Sequence, residues 1–334
     1  MAKLKVGIIS FAHVHAPSHV EQLKSRSEVE IIGAYDDNEE RGRYYANVYG
    51  LEFYENLESL FKKIPDLVVI DSENVKHLDH VKAAAEKGVH IFCEKPIGSN
   101  LRMAVKIKEI VERSGILFTT GFNSRFNPEN IAVRDLIASG ELGDIYAVRI
   151  RVAHSAAIDR WFSGWTGWFA SRELAGGGGL LDLGIHGADL LRFILRDEAI
   201  EVQGFISNST RVYDVDDQGI GVIRFSKGTL GVLDAGWAQV VEHMPWSPLE
   251  VYGSRGSALR TCIGLMHYSR ERRAWVKPVS NAPYARSALD DIVDAVKNGR
   301  KPLVTVNEAV KAQEIIEAIY LSELEGRRVK IPLA

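Results

Sequence analysis

The sequence predicts an α/β protein: a doubly wound parallel sheet at the N-terminus, then an α+β half built on an open, mostly antiparallel sheet. Three observations predict it. Short β-branched runs alternate with helix-length amphipathic stretches over the first third of the chain. After Gly121 the pattern turns to in–out alternation, the mark of strands with one wet face. The length of 334 residues exceeds one ordinary core and divides naturally into segments 1–121 and 122–334.

The elements follow in order. Lys5 to Ile9 is a strand buried on both faces, followed by a helix from Pro17 to Lys24 with proline in its first turn. Val29 to Tyr35 is the second strand. Asn38 caps the next helix, which ends at Gly50. Leu67 to Ile70 is a third strand, and Leu78, Val81 and Ala85 mark one face of a helix closing at Gly88. Val89 to Cys93 and Ile116 to Thr120 are further strands, with a helix over Met103 to Val111 between them. Strands joined by helices of this length make βαβ units. In the second half, Ile145–Val152, Glu201–Ser207, Gly219–Phe225 and Thr229–Ala235 read as antiparallel strands, Leu181 to Ile194 as a helix after four glycines, and Ala288 to Leu324 as two helices around Pro302. An open sheet needs a cover, which makes its outer face the expected contact of a homodimer or homotetramer. A TIM barrel is the alternative fold, disfavoured by the antiparallel texture.

Bulk composition excludes several classes. A net charge of −3 without long runs of one sign gives no electrostatic basis for binding nucleic acid. No apolar run approaches a membrane span, and the N-terminus runs straight into a strand with no room for a signal peptide, so a cytoplasmic location is expected. Cys93 and Cys262 form no CxxC pair and read as buried small hydrophobes in a reducing compartment.

The turn after the first strand is where a dinucleotide-binding protein carries three glycines: for the turn, for approach of the pyrophosphate, and for helix packing. In Ser10-Phe11-Ala12-His13-Val14-His15 those positions are Ser10, Ala12 and His15. Ser10 and Ala12 are small; His15 is a departure. Asp36 stands at the end of the second strand, 21 residues after His15, near the ~20 expected of the carboxylate that holds the adenine ribose. Such a carboxylate repels a 2′-phosphate. NAD is therefore expected, with Arg41 and Arg43 keeping NADP open. The competing reading makes Asp36 or Asp37 a helix cap.

Phe92-Cys93-Glu94-Lys95-Pro96-Ile97 follows the fourth strand, and Gly179-Leu180-Leu181-Asp182-Leu183-Gly184-Ile185-His186 opens the helix of the second half. With Ser72-Glu73-Asn74, His77, Gly121-Phe122-Asn123-Ser124-Arg125-Phe126-Asn127-Pro128 and Pro302-Leu303-Val304, these motifs make the chain resemble the glucose–fructose oxidoreductase / inositol dehydrogenase / MocA family over nearly its whole length. The resemblance implies a Rossmann domain and an enzyme that oxidises or reduces a secondary alcohol of a sugar, polyol or cyclitol. It implies that Lys95 contacts both cofactor and reacting hydroxyl, with Asp182 and His186 facing it. Ser10, Phe11, Ala12, His13, His15, Asp36, Asp37, Ser72, Asn74, His77, Glu94, Lys95 and Asn123 are the expected cofactor contacts. Arg125, Trp165, Trp168 and Arg172 join Lys95, Asp182 and His186 as expected substrate contacts.

The residue types suit that chemistry. Oxidising an alcohol needs a base at the hydroxyl oxygen, and histidine titrates near neutrality. The i, i+4 spacing of Asp182 and His186 puts both on one helical face, where the carboxylate orients the imidazole or binds a second hydroxyl. A lysine ammonium stabilises the developing alkoxide. Against this stand a helix cap and a core histidine for the pair, and a solvated turn lysine. Trp161, Trp165 and Trp168 offer sugar-stacking faces or core packing. His15 and His19 share metal-like i, i+4 spacing, but the sequence shows no third ligand, so no metal is expected. His154, His243 and His267 carry no assignment. Two other functions compete: an NAD-dependent glycosidase using transient oxidation and elimination, which produces no net NADH, and a dinucleotide-dependent sensor without turnover.

Overall fold

A computed structural model of the chain describes residues 2–240, 248–278 and 287–333. The first sheet has six strands, β1 (Leu4–Ile9), β2 (Val29–Tyr35), β3 (Phe53–Tyr54), β4 (Leu67–Ile70), β5 (His90–Cys93) and β6 (Phe118–Thr120). All pairings are parallel and the spatial order is β3-β2-β1-β4-β5-β6. The order reverses between β1 and β4, so their C-terminal ends open a crevice where ligands of such sheets bind. The connecting helices are α1 (Ala16–Lys24), α2 (Glu39–Tyr49), α3 (Leu57–Phe61), α4 (His77–Glu86) and α5 (Leu101–Ser114). Asn38 caps α2 by accepting from the Arg41 amide, and Gly50 ends it at φ 63°, as expected of a left-handed stop. The two-residue β3 and the five-residue α3 escaped the pattern reading because neither is long enough to show a period.

After α6 (Pro128–Ala138) the second sheet begins with β7 (Ile145–Ala153). A short helix α7 (Arg172–Ala175), a π-helical turn (Leu180–Gly184) and α8 (Ile185–Leu195) follow. Then come β8 (Ala199–Ser207), β9 (Gln218–Phe225), β10 (Leu230–Gly236), β11 (Leu249–Gly253), β12 (Gly256–Thr261), β13 (Gly264–Ser269), β14 (Ala274–Val276), α9 (Ala288–Asn298), α10 (Val306–Glu325) and β15 (Val329–Lys330). The nine strands run in the order β14-β13-β12-β11-β7-β10-β9-β8-β15. All neighbours are antiparallel except β7 and β10, which pair in parallel. The sheet is therefore mixed, and β11 to β14 on one side and β15 on the other extend it beyond the four strands read from the pattern.

Alternation fixes which face is covered. On β9, Ile223 and Phe225 are buried while Ile220 and Val222 are exposed. The covered face receives α10: at Gly221 an added Cβ would lie 2.5 Å from Ile319. Helix α8 is buried along its whole length, its polar His186, Asp189 and Arg192 included, so it shows no wet stripe. The glycine run before it exists for closeness. A Cβ on Gly178 would stand 1.9 Å from the Asp216 carbonyl oxygen, and one on Gly176 1.9 Å from that of Ser99. Asp216 exploits the approach by accepting from the amides of Gly178 and Leu180, at 2.9 Å each. Backbone contact on both sides thus pins the turn that carries Asp182.

Two side-chain expectations are corrected by burial. Cys93 is buried, but Cys262 is exposed, because it sits at the tip of the β12–β13 turn. His77 does not face a ligand. It is fully buried, with Nδ1 3.1 Å from the Pro96 carbonyl and Nε2 3.1 Å from that of Ser72. Burial outweighs those carbonyls and pushes its pKa from 6.5 down to about 4. The folded protein thus refuses a proton that the unfolded chain accepts below about 6.5. Stability from this residue is full above that pH and is lost as pH falls toward 4, by about 3 kcal/mol in all. Urea midpoints at pH 7 and 4.5 should converge by about that amount in His77→Asn relative to the parent; an unchanged pH slope would contradict the assignment.

Candidate active site

Lys95 lies just beyond β5, at the C-terminal edge of the first sheet, and its side chain is 3% exposed. Its Nζ donates to Asp182 Oδ1 at 2.6 Å and to the Asp182 carbonyl at 3.3 Å. Asp182 Oδ2 accepts from Trp237 Nε1 at 3.0 Å. The π-helical turn aims this carboxylate across the cleft, and His186, the second residue of α8, follows one turn on. Lys95, Asp182 and His186 line one cavity of about 350 Å³ together with His13, His154 and Trp161. Phe162 and Phe169 complete its aromatic wall.

Electrostatics set the protonation states. Burial opposes charge on Asp182, but the Lys95 ammonium and its hydrogen bond hold the carboxyl well below the usual carboxylate range. Burial, helped by the nearby Lys95 charge, pushes His186 down from 6.5 to about 3. The imidazole is therefore neutral at physiological pH. It is an acceptor by default, poised beside a fixed cation.

The loop after β1 is less ordinary. Ser10 adopts φ +71°, the left-handed region that glycine takes at the first position of a phosphate-binding turn. Its hydroxyl accepts from the Ala12 amide at 3.2 Å and from Arg41 at 3.2 Å. The Phe11 amide donates to Asp36 at 2.8 Å, the His13 amide to the Asp71 carbonyl at 2.8 Å, and the His15 amide to His13 Nδ1 at 3.1 Å. Phe11 stacks on Tyr45 at 5.1 Å, and Trp168 donates its indole N–H to the Ala12 carbonyl at 2.9 Å.

Several expected contacts are accordingly corrected. Asp36 sits at the end of β2 as expected, but its two oxygens are taken by Arg41 at 2.7 and 2.8 Å and by the amides of Phe11 and Asn38. The reason is local: Arg41 lies in the first turn of α2 and folds back onto the carboxylate. Asp37 pairs with Lys76. Ser72 is buried, its hydroxyl 2.9 Å from His80 Nδ1, and Asn74 donates to the Ala175 carbonyl at 2.8 Å. Asn123 accepts the Ala288 amide, the first of α9. Arg125 does not reach the cavity; it is buried in a forked pair with Asp189 and Glu308. Trp165 packs on Tyr44 and Tyr45, and Arg172 lines a separate hollow with Asp216 and Tyr320.

The fold also places residues that the sequence did not single out. His154, stacked on Trp161 with centroids 4.7 Å apart, comes from just beyond β7. Trp237, which anchors Asp182, follows β10. No motif surrounds either; only the sheet order reveals them. His243 lies outside the described residues.

Comparison with known proteins gives this geometry its family. Residues 4–122 match the model described as oxidoreductase family, NAD-binding Rossmann fold, and residues 131–259 match the GFO/IDH/MocA C-terminal domain. The chain belongs to the GFO/IDH/MocA oxidoreductase family. It is 31% identical to 1,5-anhydro-D-fructose reductase of Ensifer adhaerens, over 90% of this chain and 91% of that protein. It is 26% identical to myo-inositol 2-dehydrogenase of Thermotoga maritima, over 98% of each. Among solved structures, GenD2 from gentamicin A biosynthesis, in complex with NAD, superposes with a TM-score of 0.84 and 25% identity, covering 100% of this chain and 97% of that one.

NAD is the family's cofactor, and this member of the family fits the dinucleotide at one end. Around the cavity stand Lys95, Asp182, His186 and the buried His13 Nε2, which has no hydrogen-bond partner among the described residues. At the pyrophosphate end the Phe11, Ala12, His13 and His15 amides are turned onto protein acceptors, so binding there exchanges bonds rather than filling open donors.

Proposed function

We propose that this protein moves a hydride between NAD and a secondary alcohol or ketone of a sugar, polyol or cyclitol. The Lys95–Asp182 pair facing neutral His186 across one cavity carries the reading. The nicotinamide ring, when bound, supplies the hydride acceptor or donor. The chain supplies everything else. Lys95 donates to the reacting oxygen and stabilises it as charge develops. His186 takes the hydroxyl proton in the oxidative direction and returns it in the reductive one. Asp182, held by Trp237, keeps the ammonium aimed and accepts from a second hydroxyl. The walls of Trp161 and His154 suit the C–H face of a sugar ring, while the lining acceptors suit its hydroxyls.

The NAD preference over NADP rests on the Asp36 carboxylate at the end of β2, whose oxygens an adenine ribose would have to take over from Arg41 and from the Phe11 and Asn38 amides, with Arg41 and Arg43 leaving NADP open. In this reading segment 1–121 binds the cofactor and 122–334 binds substrate. The exposed apolar rank on the second sheet, with Phe205, Ile220, Val222 and Leu230, supports a homo-oligomer formed through that face. No helix among the described residues is long and apolar enough to cross a membrane, which accords with cytoplasmic work on a small soluble substrate.

The test is spectrophotometric. Purified protein with NAD or NADP is screened against sugars, polyols and inositols, and a rise at the reduced-nicotinamide band is expected with at least one of them. Because His186 does not need to lose a proton near neutrality, kcat/KM should show no fall around pH 6.5 attributable to it. His186→Ala should cut turnover by about 10²- to 10⁴-fold with little change in NAD affinity. Near-normal turnover in that variant removes it as the base, and silence across the whole panel with both dinucleotides sinks the redox reading.

A further inference from the structure

Trp161 faces solvent although an aromatic core lies beside it. Its neighbour Phe162 turns inward and packs on Phe169 and on Trp237, with ring centroids 4.7 Å away in each case. Trp161 turns outward instead and is 52% exposed, yet it lines the same cavity as Lys95, Asp182 and His186. It therefore stands at the mouth. One face of the indole is stacked on His154, with the planes 29° from parallel, which leaves the opposite face open.

The segment that presents the indole is tied down at several points. The Trp161 amide donates back to the Ala156 carbonyl at 3.0 Å, the Asp159 amide to that of Ser155 at 2.9 Å, and the Ala157 amide to that of Trp237 at 3.0 Å. Arg160, just before the indole, has φ +54°, a conformation that costs energy in a residue with a side chain and persists where the surroundings hold it. Strain of this kind gathers at ligand-binding sites. Trp237 links the segment to the chemistry: fully buried, it accepts from Ala157 through its carbonyl and donates its indole N–H to Asp182. The Trp161 face and the Lys95–Asp182 pair thus share one anchor. His154 gives the order along the cavity. It is near enough to Asp182 and Lys95 for both charges to act on it, while Trp161 lies against its ring. Outward from the reactive pair come His154, then Trp161, then solvent.

We propose that the substrate is a glycoside, with its reacting ring at Lys95 and His186 and a second flat ring, aromatic or sugar, stacked on the open face of Trp161. The cavity volume of about 350 Å³ is at the small end of ligand pockets, which span roughly 300–1,000 Å³. It suits one reacting ring, so a second ring attached to it leaves by the mouth, over Trp161. Indole offers a broad apolar face to either kind of ring. His154 Nδ1 accepts the Ala156 amide at 3.2 Å, so Nε2 of the neutral ring carries the hydrogen and would donate to an oxygen between the two rings. A free monosaccharide or a methyl glycoside leaves the indole bare and forgoes the contact. The proposal rests on the hydride-transfer reading for its reaction and adds the class of substrate.

The test compares the methyl glycoside, the phenyl glycoside and a disaccharide of each sugar that turns over. The parent should favour the phenyl glycoside, the disaccharide or both over the methyl glycoside by about 3- to 10-fold in kcat/KM, carried by KM. Trp161→Ala should bring that ratio to within about 2-fold of unity, and Trp161→Phe should keep most of it. Because a ratio is read, general damage to the fold, which lowers all three substrates alike, does not imitate the result. Preference for the phenyl glycoside alone assigns an aromatic aglycone, and preference for the disaccharide alone assigns a second sugar. Equal kcat/KM for all three in the parent, or a preference that survives Trp161→Ala unchanged, would overturn the subsite and leave the redox reading standing. Silence of every substrate would overturn the redox reading instead. Calorimetric titration of phenyl and methyl glycosides into parent and Trp161→Ala then decides the subsite: the same ratios are expected in Kd, and equal Kd values in the parent would overturn it.

Discussion

Lys95→Met should lower turnover by about 10³-fold while leaving a folded, NAD-binding protein, as measured by initial rates and by dinucleotide titration. The magnitude follows from removing a fixed cation at the oxygen where charge develops. The neutral isostere keeps the methylene packing of a side chain that is 3% exposed. It also deprives Asp182 of the ammonium that holds its carboxyl low, leaving the Trp237 indole as its side-chain donor among the described residues. Some loss of stability is therefore expected, and Lys95→Arg separates the two effects. Arginine restores charge to Asp182 but not the compact point charge at the reacting oxygen, so stability should recover and turnover should not. Recovery of turnover by arginine would show that Lys95 serves the fold and not the reaction.

Asp189→Ala should destabilise the protein by about 3–5 kcal/mol, read as a shift in urea midpoint, with kcat intact in the folded fraction. Asp189 is fully buried and accepts from Arg125 Nε at 2.9 and 3.0 Å and from Nη2 at 2.6 Å. Removing it strands a guanidinium that is 4% exposed, although Glu308 remains at its edge. The cost is that of an uncompensated buried charge, not the net worth of the pair. Replacing both partners, as Arg125→Met with Asp189→Leu, should recover much of the loss. A single variant that unfolds no earlier than its parent would show that water reaches the site.

Much of this was legible in the sequence. Strands β1, β2 and β4 are runs rich in β-branched residues that stand out by themselves, and the Glu94-Lys95-Pro96 and Asp182/His186 motifs point to a common site. Other features were hidden for physical reasons. Asp36 carries the right spacing for a ribose ligand, but nothing in a linear pattern says that Arg41, five residues on, will fold back and saturate it. Arg125 sits within a family-like motif, yet its partners Asp189 and Glu308 are 64 and 183 residues away. The Trp161–His154 wall and the Trp237 anchor depend on which strands neighbour one another in a mixed sheet. The parallel pairing of β7 with β10 cannot be read from alternation, which is the same for either direction.

The hydrogen bond from the Trp168 indole to the Ala12 carbonyl gives the molecule an optical gauge. A ligand that draws the Ser10–His15 turn away from Trp168 would stretch that bond, and an indole losing a carbonyl acceptor changes its emission. Intrinsic fluorescence, compared between the parent and Trp168→Phe, can thus follow occupancy of the turn without coupling to catalysis, and can report which half of a dinucleotide arrives first.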